Sequence, residues 1–79
     1  RALARRVSQI DVRDANDAVV ILDGDTALLH LGDSHFAERL QSYLELAPAL
    51  HERVPDIDYV DLRFDERVYV RPAKARARE

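Results

Sequence analysis

Cysteine is absent from these 79 residues, as are methionine and tryptophan, and glycine occurs only twice. Without cysteine there is no disulfide scaffold and no thiolate zinc site, although the compartment stays open. The phosphate-cradling patterns G-x-x-x-x-G-K and G-x-G-x-x-G are missing, and so are H-E-x-x-H and G-x-S-x-G. No apolar run approaches the roughly 18 residues of a membrane span, and no signal peptide is recognisable. Excess charge of one sign is lacking too. Twelve basic against 15 acidic residues leave a net charge of -3, without the strongly basic face of a nucleic-acid binder.

What remains is the composition of one small folded domain. Hydrophobic residues make up 47% of the chain and prolines number three, which favours a compact fold over disorder. A chain this short has a thin core and modest stability. It opens on Arg1, so it is expected to be a piece of something longer. Residues 1–6 read as residual helix or linker, residues 7–72 as the domain, and residues 73–79 as a basic, alanine-rich frayed tail.

Val7 to Arg13 alternates, with Ser8, Ile10 and Val12 on one face. Asp14-Ala15-Asn16-Asp17 is turn chemistry, and a second strand follows to Leu22. A two-residue loop at Gly24-Asp25 would set Val20 opposite Leu29 and Leu22 opposite Ala27, with Leu31 on the same face. Val19, Ile21, Leu28 and His30 share the other face, which is apolar enough to expect a cover, either a neighbouring domain or more of the sheet.

Gly32 ends the third strand, and Asp33 or Ser34 is positioned to cap a helix, though no full capping box is present. Phe36, Leu40, Tyr43, Leu44, Ala47 and Leu50 recur at three- and four-residue steps, the mark of one buried stripe. The helix is expected over residues 34 to 51, interrupted late by Pro48. The order strand, strand, strand, helix, strand, strand predicts an α+β two-layer domain. Its sheet would be mixed, mostly antiparallel and five-stranded, packed on one main helix. The fourth strand returns parallel to the third through the helix, and Leu29, Leu31, Leu40, Leu44, Val60 and Leu62 form the expected core.

Tyr59 to Pro72 is the most informative stretch, two alternating strands joined by a polar turn. A three-residue loop, Asp65-Glu66-Arg67, puts Phe64 opposite Val68 and Leu62 opposite Val70 on the apolar face. Asp61 then faces Arg71 and Arg63 faces Tyr69 outside, an ion pair and a cation–π pair. Arg67 occupies a loop position that often holds glycine, the weak point of this register.

His30, His35 and His51 fall on a strand, a helix start and a helix end, which suits surface histidines better than a metal set. Asp23, Asp25 and Asp33 frame turns and lack the spacing of a calcium loop. No cofactor, no metal and no catalytic residue is expected. The last strand is different. Arg67, Tyr69 and Arg71 are expected to face away from the helix, and Pro72 has no N–H for a ladder, which points to an edge strand or to a strand's end. Charge and proline guard an edge against aggregation. An open edge also accepts a partner strand, with backbone hydrogen bonds giving affinity and side chains giving choice. The residues alone leave both readings open.

Three blocks carry a resemblance to a known family. They are Ala27-Leu28-Leu29-His30-Leu31-Gly32, then Arg39-Leu40 followed by leucines, and then Asp58-Tyr59-Val60-Asp61-Leu62-Arg63-Phe64 with R-V-Y-V-R-P after it. Over about Val7 to Pro72 the chain resembles the β domain of the FtsQ/DivIB bacterial cell-division proteins. The resemblance implies a single-span membrane protein with a POTRA domain ahead of this one, outside the membrane, with no enzymatic activity. It implies a place on the periplasmic face of the cytoplasmic membrane at the septum. It also implies a partner of the FtsB or DivIC type, complexed with FtsL, whose C-terminal segment adds a strand beside the last strand and so supports septal peptidoglycan synthesis. Carried over, the resemblance marks Phe64, Val68, Tyr69, Val70, Arg71 and Pro72 as partner-binding positions. Charge and facing add Arg67 and weigh again for Arg71. Pro72 departs from the pattern, standing where an exposed aromatic would strengthen docking, so Tyr69 and the arginines carry more of the expected affinity.

Two other readings compete. One is a POTRA-like or other α+β envelope interaction domain with a guarded edge; the other is a small hydrolase with a histidine–carboxylate site, for which the motifs are missing. An upstream hydrophobic span followed by a POTRA domain would favour the division reading.

Overall fold

Period-two alternation makes strands of Val7–Asp14 (β1), Asp17–Leu22 (β2), Leu28–Gly32 (β3), Ile57–Asp61 (β4) and Tyr69–Pro72 (β5). The three-four periodicity makes one helix, Phe36–Arg53 (α1). These elements are seen in a computed structural model that describes residues 5–64 and 67–73. The expectations for Arg1 to Ala4, for Asp65 and Glu66 in the loop, and for the tail from Lys74 to Glu79 lie outside the described residues.

The five strands form one sheet in the order β1-β2-β3-β4-β5. Only β3 and β4 run parallel, with Leu29 beside Val60, and α1 makes the crossover between them. The α+β, two-layer expectation therefore holds, including the order of its elements. Val20, Leu22, Ala27, Leu29 and Leu31 are buried together with Leu40, Tyr43, Ile57, Val60 and Leu62. These residues form a single hydrophobic cluster.

Several local expectations are corrected. The β1 ladder slips between Val7 and Gln9, so Val7 opposes Leu22 and Ile10 opposes Val20. This bulge puts Val7 in phase with Ile10 and Ser8 out of phase. Only Val7 packs on the core, while Ile10 and Val12 are exposed, because α1 lies chiefly over β3 and leaves β1 uncovered. Val20 does face Leu29. The preceding turn, however, is centred on Asp23 and Gly24, with the Asp25 N–H donating to the Leu22 carbonyl at 3.1 Å. Gly24 takes the positive φ of 78° that such a turn requires. Leu22 has no ladder partner in Ala27, since β3 starts at Leu28.

Neither Asp33 nor Ser34 caps α1. The N-cap is His35, left-handed at φ 57°, and it makes no side-chain cap hydrogen bond. The chain enters the helix later than the polar pair suggests, so Phe36 becomes the first helical residue and is about half exposed. The buried stripe begins one turn on, at Leu40, and Leu44 lies at the rim of the core rather than inside it. Pro48 does not end the helix, which continues past His51 to Arg53 and closes with the Val54 N–H on the Leu50 carbonyl at 2.7 Å.

The last hairpin keeps its faces but changes its register. Val60, not Leu62, opposes Val70; Asp61 opposes Tyr69, and Tyr59 opposes Arg71. The slip is by two residues, which preserves inside and outside while lengthening the loop. The β4–β5 ladder stops at Asp61, and the Leu62 N–H, next in the alternation, faces β3 and donates to the His30 carbonyl at 2.9 Å. Phe64 therefore has no place in the ladder and is about half exposed, whereas the pattern had put it inside opposite Val68.

Candidate functional site

β5 has β4 on one side and no described strand on the other. Backbone N–H groups alternate in direction along a strand, so one known bond fixes the rest. Ala73 N–H donates to the Asp56 carbonyl at 3.0 Å, toward β4. The extra residue of this ladder's slip lies in β4, between Ile57 and Tyr59, so β5 itself stays regular. Arg71 and Tyr69 accordingly turn their N–H groups inward, and Val70 turns its N–H and carbonyl to the open edge. The nitrogen of Pro72 also faces outward, where no ladder bond is lost.

The side chains divide along this edge. Val68 and Val70 are half-buried and pack against the core. Tyr69 lies on the face of Asp61, opposite the helix, and is about half exposed. The Phe64 and Tyr69 rings meet edge to face at 5.4 Å, forming an exposed aromatic pair at the head of the edge. Arg71 stands 6.0 Å from the Tyr59 ring centre and 3.8 Å from Asp58, so its cross-strand partners are not the expected Asp61. Arg67 lies outside the ladder and so does not follow the alternation that would turn it from the helix. It donates to the Tyr69 hydroxyl at 3.0 Å. It also borders a groove with His35, Glu38, Arg39, Leu46 and Phe64. All seven expected contact residues thus fall on or beside one edge.

Sequence reasoning missed a polar network just behind it. Asp61 Oδ1 accepts the Arg63 backbone N–H at 3.1 Å and Nε–H at 2.9 Å, and its Oδ2 accepts Nη2–H at 2.6 Å. The hydrogen bonds from Arg63 hold the Asp61 carboxyl below its ordinary value against the opposing effect of burial, and Asp61 in turn raises the Arg63 guanidinium. Asp17, also buried, accepts the Gly32 N–H at 3.0 Å and pairs with His30 Nδ1 at 2.7 Å; Arg63 Nη1 is 3.8 Å from it. The signal was the D-x-R spacing at the end of β4. That spacing was read as two cross-strand pairs rather than one pair along the chain.

The histidines occupy three separate places. His30 belongs to this network, His35 enters the helix, and His51 Nε2 lies 3.2 Å from the Tyr43 hydroxyl. That hydroxyl donates to Asp25 at 2.5 Å. Burial and the carboxylate beside it push the Tyr43 phenol well above its ordinary value. Asp25 also accepts the Ala27 N–H, as a turn carboxylate should.

Fold and site define a small α+β domain whose distinctive surface is an open sheet edge flanked by aromatic and basic side chains. The chain belongs to the FtsQ/DivIB cell-division family: the family described as cell division protein FtsQ/DivIB, C-terminal, matches residues 1–63. It is similar to the cell division protein FtsQ of Koribacter versatilis (strain Ellin345), at 35% identity over 71 residues. That similarity covers 87% of this chain and 20% of the relative, so the chain spans about a fifth of the relative's length. The family match ends before Phe64, and the edge position of β5 comes from the sheet order. No helix among the described residues is long and apolar enough to cross a membrane.

Proposed function

We propose that this domain is a non-enzymatic scaffold of bacterial cell division that receives an extended segment of an FtsB/DivIC-type protein, itself joined to FtsL, along β5. The observation that carries the proposal is the position of β5 at the sheet edge with the Val70 N–H and carbonyl turned outward. An incoming strand would bond to these groups. Phe64 and Tyr69 would supply apolar contact, and Arg67 and Arg71 would favour an acidic segment. Family membership supports a role in division, and with it a place on the periplasmic face of the membrane at the septum, in support of cell-wall synthesis.

Calorimetric titration with the C-terminal peptide of the partner from the same organism tests this. Val70→Pro removes the outward donor and is expected to abolish binding. Charge reversal at Arg67 and Arg71 is expected to weaken binding without unfolding the domain, and added salt should shrink the difference. Pro72 and the two arginines would also suit a guarded edge. A folded domain that fails to bind the peptide would favour that second reading.

A further inference from the structure

Phe64 is held in an unusual way for a contact residue. It follows the end of a ladder, is about half exposed, and meets two described aromatic or cationic neighbours. One is Tyr69; the other is the Arg63 guanidinium, 6.0 Å from its ring centre. Arg63 is in turn held by the fork of hydrogen bonds from Asp61, with Asp17 behind. Asp61 and Asp17 are 8% and 9% exposed, too deep to touch a partner laid along β5. Gly32 completes the seat, because a Cβ there would stand 3.2 Å from the Arg63 Cγ.

Resting on the docking reading above, we propose that Asp61 and Asp17 are positioning residues for partner binding: they fix Arg63, and through it hold Phe64 at the head of the open edge. A contact side chain ordered before docking loses less freedom on binding. The two carboxylates would therefore act on affinity from a distance, through Arg63.

The test is a double-mutant cycle in the whole chain, read with the partner's C-terminal peptide. Asp61→Asn and Asp17→Asn keep size and shape but lose the charge that holds Arg63. Each is expected to weaken binding roughly three- to tenfold at a temperature where circular dichroism shows the fold intact. Combined with Phe64→Ala, the losses should be less than additive, because all act through one ring. The nuclear Overhauser contact between the Phe64 and Tyr69 rings should fade in both Asn variants. A purely structural role would lower the thermal midpoint and leave affinity and that contact unchanged. If Asp61→Asn does not fold, Asp17→Asn still carries the test, since it keeps an oxygen for the Gly32 N–H. Folded Asn variants that bind like the parent, or losses that simply add, overturn the positioning role. Should the parent chain itself not bind, the docking reading fails; a ring contact that also survives in the Asn variants would then overturn the positioning role on its own.

Discussion

Tyr43 and Leu40 are the side chains through which α1 enters the core, at 1% and 6% exposure. Leu44, equally apolar and on the same stripe, is only half-buried. The hydrophobic period could identify the stripe but not its depth, which depends on where the helix sits over β3. Leu40→Ala is therefore expected to cost about 2–5 kcal/mol, and Leu44→Ala distinctly less, in denaturant melts. Equal costs would place the helix differently. Ionisation is also readable at this scale. Burial raises the Asp25 carboxyl, but bonds from Tyr43 and the Ala27 N–H, together with the nearby His51, outweigh it and leave a net lowering. The bonds from Arg63 lower Asp61 as well. Both carboxyls thus bind protons less readily folded than unfolded. Their contribution is present above the ordinary value of 3.8 and fades as pH falls below it. The thermal midpoint should drop through that acid range, and Asp61→Asn should flatten part of the drop.

At the scale of elements, the sequence was clear about type and less clear about ends. All five strands and the helix were legible, because alternation and three-four spacing are strong signals in a chain with few glycines. β4 ends at Asp61, the hairpin register lies two residues from the expected one, and Phe64 falls outside the ladder. No local pattern around residues 59–72 announces where that ladder ends. Gly32 marks a similar junction, at φ 78°, with Arg39 Nη1 only 2.7 Å from where a Cβ would stand. Gly32→Ala is expected to destabilise the chain by about 1–3 kcal/mol, through the strained φ and the displaced arginines. A melt unchanged by that substitution would show that the β3–α1 junction relaxes freely.

For the whole molecule, the order of strands was the quantity the sequence left open, and it decides what the surface offers. Pro72 and the flanking arginines suggested an edge, and the sheet order places β5 there. Which N–H groups point outward followed only from the Ala73–Asp56 bond. The polar network behind the edge stayed hidden because Asp17, His30 and Asp61 lie far apart in sequence and meet only when β2, β3 and β4 align. The most direct measurement is amide hydrogen exchange with and without the partner's C-terminal peptide. Strand addition predicts that Val70, exposed at the edge, exchanges rapidly in the free chain and becomes protected on saturation. Arg71 and Tyr69, already bonded to β4, should change little. Saturable binding that leaves Val70 unprotected, or that protects residues of β1 instead, would contradict docking at this edge.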